Sequence, residues 1–386
     1  MKKAAIIYHY IALYRLPIFH ELMKSDIIDF TLISGNTSEI NIKKVPDEYA
    51  KIPINKGGLN WKFLENIWIK NKQFLWQKGL LKLVLKSDFD IYIFLGSPYH
   101  LSTWCAAILA RLKGKQVYYW MHGVYKDKPT KIDWVKLNIF YKIANGFFLY
   151  GNRSLEILKK HKVKANNKMH VIYNSLDYEK SLSYRNNLDL ANIEIYRKKY
   201  FDNELLPTII FIGRLNFVKR IDMLLEAQDM LRKKHNKNIF NLLIIGDGEE
   251  RKNLEQQTDY LKLSQNVKFL GAIYDEKLNS ELLMYSDLCV TPGEVGLTAM
   301  HAMSYGTPVI SHDNLNLQMP EVEAIIQGKT GDLYEYLNVE SLAKSIENWF
   351  TKHPKKSKDV IESCFNIIDK YYNPKFQRKV LEEALS

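Results

Sequence analysis

Apolar and polar positions along this chain fall into two alternating kinds of segment. Short runs, "AAIIYHY", "DFTLISG", "IYIFLG", "QVYYWMHG", "GFFLYG" and "HVIYNS" in the first half and "TIIFIGR", "NLLIIGDG", "VKFLG", "LCVTP" and "PVIS" in the second, predict strands. Most are continuously apolar, as parallel strands covered on both faces are. Between them lie stretches of helical spacing, such as "LSTWCAAILARLKG" and "KRIDMLLEAQDMLRKKH", closing in glycine or basic residues as helix ends do. Strand and helix thus alternate through two successive series. The pattern predicts an α/β protein of two Rossmann-like, doubly wound domains. The polar segment 174–192 marks the junction, giving a first domain over 1–180, a second over 181–360 and a last segment over 361–386 that ends in "NPKFQRKVLEEAL". Ligands of such sheets bind beyond the carboxyl ends of the strands, so two domains of this kind are expected to face a shared cleft.

Length and composition agree with this picture. A chain of 386 residues can bury two sizeable cores. No uninterrupted apolar run reaches the ~18 residues of a membrane-spanning helix, and the apolar run at the start is too short for a secretory signal. A cytoplasmic protein is expected. Cys105, Cys289 and Cys364 are too scattered for a disulfide framework or a zinc site and are expected to be buried thiols.

Charge changes the picture more. Residues 1–180 hold 29 Lys and Arg against 14 Asp and Glu, whereas residues 181–386 hold 26 against 29, so the whole net charge of +12 originates in the first half. Nucleic acid, a phospholipid surface or a phosphorylated substrate would each answer that asymmetry. No nucleic-acid-binding motif is present, so nucleic acid is not expected as a partner, and a peripheral position on an anionic membrane surface is favoured. Residues 55–86 interleave Trp61, Phe63, Trp68, Phe74 and Trp76 with Lys56, Lys62, Lys70, Lys72 and Lys78. On a helix this mixture suits the interface of an anionic membrane, or else an ordinary domain helix with a solvated lysine face.

Candidate chemistry lies in the loops that follow strands. In "FIGRLNFVKRID", Gly213 and Arg214 end a strand and Lys219 precedes a helix, so two cations can converge on a diphosphate. In "LCVTPGEVGLTAMHAMSYG", a strand and turn lead to a helix starting at Gly296, Leu297 and Thr298, whose open N–H groups form an anion site. His301 on that helix either hydrogen-bonds a ribose hydroxyl or is a structural histidine satisfied by its surroundings. His122 follows the strand "VYYW" and precedes Gly123, a position facing the expected cleft or a satisfied loop histidine. "SDFDI" holds an Asp-x-Asp, but it precedes its strand and so lies at the wrong end of the sheet for a metal site. "IIGDGEER" lacks the third glycine of a dinucleotide fingerprint.

Taken in order, "WMHG", "VIYNSLDY", "GRLNFVKRID", "LLIIGDGEERKNLE", "NVKFLGAI", "SDLCVTPGEVGLTAMHAMSYGTPVI" and "GKTGDLY" resemble the retaining GT-B glycosyltransferases of family 4 over nearly the whole chain. The resemblance implies a nucleoside-diphosphate sugar as donor and co-substrate, with Arg214 and Lys219 on its diphosphate. It also implies backbone amides of the Gly296 helix on the same group and His122 at the transferred sugar. Gly213, Gly293, Glu294, Val295, Gly296, Leu297, Thr298 and His301 complete the implied donor set. Two departures stand out. The family's two glutamates, separated by seven residues, are here Gly293 and His301, with Glu294 displaced by one. In place of a glycine-rich first loop the chain reads "YHYIALYRLPIF", where Tyr14 and Arg15 either shape the acceptor site or form a packed connection. The resemblance further implies retention of configuration, a saccharide or lipid-linked saccharide acceptor, a place on the inner face of the cell membrane in surface polysaccharide or glycolipid synthesis, and a last helix crossing back to the first domain. With protein cations on the diphosphate, no metal and no other cofactor are expected. The missing glutamate pair leaves one competing function, a non-catalytic nucleotide-sugar-binding or scaffold protein.

Overall fold

The computed structural model describes residues 1–38, 42–124, 131–163, 168–186 and 192–386, with side chains 131–133 excepted, and divides into two units. The first comprises Met1–Asp177 and Tyr371–Ser386, the second Tyr178–Lys370. These divisions stand beside the expected ones at 180 and 360. The later division falls at 370 because the helix over Lys358–Tyr371 buries Val360, Ile361, Cys364 and Ile368. Part of the expected junction, 187–191, lies outside the described residues, and Tyr178–Arg185 within it is a helix.

In the first unit the chain runs β1 (Lys2–Tyr8), α1 (Leu16–Leu22), β2 (Ile28–Ser34), β3 (Trp61–Phe63), β4 (Glu65–Ile69), β5 (Phe74–Lys78), α2 (Leu80–Lys86), β6 (Ile91–Leu95), α3 (Leu101–Leu112), β7 (Gln116–Met121), α4 (Lys131–Ile143), β8 (Gly146–Leu149), α5 (Asn152–Lys160) and β9 (Met169–Val171). Seven of these strands form one parallel sheet in the order β3-β2-β1-β6-β7-β8-β9. Successive side chains of a strand enter opposite faces. Ala5, Ile7, Tyr119 and Met121 therefore join one core, while Ala4, Ile6, Tyr118 and Trp120 join the other. Two covered faces explain why these strands read as unbroken apolar runs.

The second unit contains α6 (Tyr178–Arg185), α7 (Ile193–Arg197), β10 (Thr208–Ile212), α8 (Ile221–His235), β11 (Asn241–Ile245), α9 (Arg251–Tyr260), β12 (Val267–Gly271), α10 (Glu276–Met284), β13 (Leu288–Val290), α11 (Leu297–Ser304), β14 (Val309–His312), β15 (Gly331–Tyr334), α12 (Val339–Lys352) and α13 (Lys358–Tyr371). Its six parallel strands follow the order β12-β11-β10-β13-β14-β15. Counted within the unit this is 3-2-1-4-5-6, the dinucleotide-binding order, and the direction of winding reverses between β10 and β13. The crevice at that reversal is where the physics of the fold directs a ligand.

The last helix, α14 (Pro374–Leu385), belongs to the first unit. Asn373 caps it by accepting from the Phe376 N–H at 2.9 Å, and Leu381 and Leu385 enter the core beneath β1. Gln377 fixes its start, accepting from Ser175 Oγ at 2.7 Å and donating to the Tyr173 carbonyl at 2.7 Å.

Two expectations are corrected. Residues 55–86 are not one helix. Trp61–Phe63 pairs at the sheet edge as β3, β4 and β5 form an antiparallel hairpin, and only Leu80–Lys86 is helical. Trp, Ile and Phe at alternating positions favour strands, and Gly57, Gly58 and Gly79 interrupt helical continuity. Cys105 is exposed, whereas Cys289 and Cys364 are buried as expected, with burial pushing each thiol up to about 12. Asp88 and Asp90 lie before β6 at its amino end, engaged by Lys3 and Lys115. No helix among the described residues is long and apolar enough to cross a membrane.

Candidate functional site

Two loops meet at the reversal point of the second sheet. One leaves β10 through Gly213 and Arg214 to Lys219; the other leaves β13 through Pro292 to Gly296. The Gly293 N–H donates to the Lys219 carbonyl at 2.9 Å, and Lys219 Nζ returns a bond to the Glu294 carbonyl at 2.8 Å. The Glu294 carboxylate is 3.6 Å from the same Nζ. Burial pulls the Lys219 ammonium below its ordinary range, and Glu294 opposes that shift. Arg214 differs: it is exposed, and its guanidinium has no ion pair or hydrogen bond among the described residues.

Gly293 explains one departure from the resemblance. A Cβ there would overlap the Val218 carbonyl oxygen and lie 2.8 Å from Lys219 Cα, so the close passage of the two loops excludes a side chain. The glycine is what lets Lys219 reach this turn. Gly246 does similar work behind it, where a Cβ would overlap the Gly213 carbonyl oxygen.

The turn itself is braced from below. Gln318 accepts from the Val295 N–H at 2.7 Å and donates to Ser311 Oγ and the His312 carbonyl, each at 2.9 Å. Ser311 Oγ donates to the carbonyls of Thr291 at 2.9 Å and Gly293 at 3.2 Å, and Tyr334 donates to Pro292 at 2.6 Å. Val295 is fully buried, so its side chain packs inside the unit and touches no ligand, and its N–H is held by Gln318. Thr298 donates its hydroxyl to the Ile212 carbonyl at 3.2 Å, tying the first turn of α11 to the end of β10. The N–H groups of Gly296, Leu297 and Thr298 are left without an acceptor among the described residues. Open donors and the helix dipole give the start of α11 the chemistry to receive an anion.

His301 is held by a residue that the sequence pattern did not single out. Its Nε2 lies 2.9 Å from Glu276 Oε1, and the Tyr305 hydroxyl donates to the same oxygen at 2.6 Å. Glu276 opens α10, so helix-to-helix packing brings it across twenty-five residues. Burial pushes its carboxyl up, but the bonds from His301 and Tyr305 outweigh burial and hold it below the ordinary value of 4.5. A depressed carboxylate contributes stability that is present above 4.5 and disappears as pH falls through the lower folded value. Glu276→Gln is therefore expected to lower the melting temperature at pH 7, with the difference closing below pH 4.5. Thermal unfolding between those conditions checks this; a pH-independent difference would show that ionisation contributes nothing.

In the first unit, His122 follows β7 and is half-buried, its ring 4.7 Å from that of Tyr150. Burial, then the charge of Arg15, lowers its imidazole to about 4, so it is neutral near pH 7 and can accept or donate one hydrogen bond. Ser154 Oγ donates to the His122 carbonyl at 2.9 Å, setting the loop behind it. Tyr14 is at the surface, 36% exposed, while Arg15 is buried at 7%. The loop before α1 thus turns its arginine inward, and Pro17 sits in the first turn of α1.

With these geometries in hand, likeness to known proteins is informative. The sequence model of the family described as "Glycosyl transferases group 1" matches residues 192–364. This match lies within the second unit. The chain is similar to an uncharacterized glycosyltransferase of Methanocaldococcus jannaschii, 29% identical over 155 residues, 37% of this chain and 36% of that protein. It is also similar to the alpha-monoglucosyldiacylglycerol synthase of Streptococcus pneumoniae, 27% identical over 165 residues, 41% of this chain and 35% of that protein. These matches span little more than a third of the relatives' own lengths. Over its full length the chain superposes on Anabaena HepE in complex with UDP, with a TM-score of 0.72, 16% identity and coverage of 100% and 99%. The fold of the whole chain is GT-B.

Proposed function

We propose that this protein moves a sugar from a nucleoside-diphosphate sugar to a saccharide or lipid-linked saccharide with retention of configuration. The observation that carries the reading is the meeting of the two loops through Lys219, Gly293 and Glu294 beside the open start of α11 at the sheet reversal, with Arg214 on the first of those loops. Donors so placed stabilise charge on a departing diphosphate without reorganising at the moment of reaction. The bond from anomeric carbon to phosphate oxygen breaks, and a bond from the acceptor oxygen to that carbon forms on the same face. The acceptor proton passes to the departing phosphate. His122, neutral, is assigned to a hydroxyl of the transferred sugar, and His301, oriented by Glu276, to the ribose. The solved complex of HepE with UDP supports a uridine donor as the first to test.

The name of the streptococcal relative supports a lipid acceptor, and with it a cytoplasmic enzyme working at the membrane in surface polysaccharide or glycolipid synthesis. On the β4–β5 hairpin, Ile67 and Ile69 are 40% and 44% exposed, and Lys70 and Lys72 stand at its tip. Apolar side chains beside lysines suit insertion among anionic headgroups. Sedimentation with anionic vesicles is expected to exceed that with neutral ones; equal binding would remove the membrane from this reading.

Nucleoside diphosphate release is the direct test. With a panel of nucleotide sugars and lipid-linked acceptors, turnover is expected and is expected to persist in EDTA. Nucleotide binding without any turnover would favour the scaffold function, and loss of turnover in EDTA would assign a metal to the site.

A further inference from the structure

Arg15 is a buried cation without a counter-ion. Its guanidinium lies within an aromatic box, 4.6 Å from the Trp120 ring, 4.9 Å from Tyr8, 5.5 Å from Phe19 and 5.8 Å from Tyr150. No carboxylate forms an ion pair with it among the described residues; the groups acting on its charge are Tyr8, Tyr14 and Tyr150, with His122 alongside. Arginine stays charged at any physiological pH, so this environment cannot relieve itself by losing a proton. Burying such a charge is costly unless it is paired, and contacts with ring faces offset only part of that cost.

The hydrogen bonds show which edge is spare. Nη1 donates to the Tyr150 hydroxyl. Among the described residues Nε has no partner, and neither does the neighbouring indole N–H of Trp120. The edge formed by Nε and Nη2 is the one that presents two parallel N–H groups to a pair of oxygens. Tyr8, Trp120 and Tyr150 all stand at the carboxyl ends of β1, β7 and β8, where a sheet of this kind receives ligands. A purely structural arginine would be expected to have this fork satisfied by a carbonyl or carboxylate. Here no carbonyl or carboxylate of the described residues accepts from Nε.

We propose that Arg15 receives an anionic oxygen pair, a phosphoryl or carboxylate group, carried by the molecule that the first unit binds. Resting on the transferase reading, this means that the acceptor is itself an anion: a phosphate-linked lipid, a phosphorylated sugar or a uronic acid.

The test needs no turnover, so it is decided separately from the activity. Inorganic phosphate and glucuronate are titrated into the Arg214→Ala/Lys219→Met double variant, in which the second unit's anion site is disabled, following the indole N–H resonance of Trp120 and the melting temperature. The Trp120 signal is expected to move and the melting temperature to rise with at least one anion. Adding Arg15→Met should abolish both responses, while Arg15→Lys, which keeps charge but loses the fork, should weaken binding at least tenfold. Since an unpaired buried charge is being replaced by an apolar chain of similar length, Arg15→Met should melt no lower than its parent in anion-free buffer. Responses that persist unchanged in Arg15→Met, or no response to phosphate, glucuronate or a short-chain polyprenyl phosphate, would overturn the proposal. A response only to the polyprenyl phosphate identifies a lipid source, and one to glucuronate alone a sugar carboxylate. UDP affinity, measured in the protein carrying Arg15→Met alone, should stay at the wild-type value.

Discussion

Arg214→Ala is expected to leave the melting temperature unchanged and to lower kcat/KM for nucleotide-sugar turnover by about 10²- to 10³-fold, the loss typical of removing one preorganised donor from a developing anion. The two halves of this expectation have separate causes. Arg214 is exposed and makes no contact that folding would miss, and surface substitutions of this kind usually stay within about 0.5 kcal/mol. Its position immediately after β10, at the point where the second sheet reverses, gives it no structural duty but places a fork where a diphosphate would lie. Lys219→Met should lose a comparable factor, though at some cost in stability because the Lys219 ammonium also holds the Glu294 carbonyl at 2.8 Å. Groups that act on one leaving group are not additive, so the double variant is expected to fall short of the product of the two losses. Steady-state kinetics with a calorimetric melting curve for each variant checks both halves. Activity within twofold of wild type for Arg214→Ala would remove that residue from the site.

Much of the architecture was legible because parallel sheets write themselves locally. A strand covered on both faces must be apolar at every position, and "TIIFIGR" or "NLLIIGDG" cannot be read otherwise once a glycine and a helical stretch follow. The hairpin of β4 and β5 was missed for the opposite reason. Its strands are only five residues each, and lysines at the turn made a strand alternation look like one helical face. Glu276 was invisible because nothing in a sequence pairs a residue at the start of α10 with His301 on α11; only packing does. Gly293 was visible as a substitution but not as a steric requirement, since the atoms that exclude its side chain belong to Val218 and Lys219. Arg15 illustrates a third limit. Composition shows a basic residue in a basic half, and burial converts it from one charge among many into a group whose partner must be found.

Gly293→Glu, which would supply the carboxylate that the resemblance implies at this position, is expected to damage the protein instead of improving it. The new Cβ would overlap the Val218 carbonyl oxygen and approach Lys219 Cα to 2.8 Å, both of them backbone atoms that no rotamer change can move aside. Overpacking of this sort typically costs about 1–3 kcal/mol. The loop can yield only by breaking the bond from the Gly293 N–H to the Lys219 carbonyl at 2.9 Å, and with it the placement of the lysine. A lower melting temperature and at least tenfold weaker nucleotide binding should therefore appear together. Gly296→Ala supplies the control on the same turn. The nearest atom to an added Cβ there is the Met319 side-chain Cγ at 3.7 Å and no backbone atom blocks it, so its melting temperature should fall less than that of Gly293→Glu. Thermal unfolding and titration with UDP distinguish the two variants. A Gly293→Glu protein that melts with wild type and turns over faster would mean that the glycine is a lost catalytic side chain; the expected result makes it the condition on which Lys219 reaches the diphosphate.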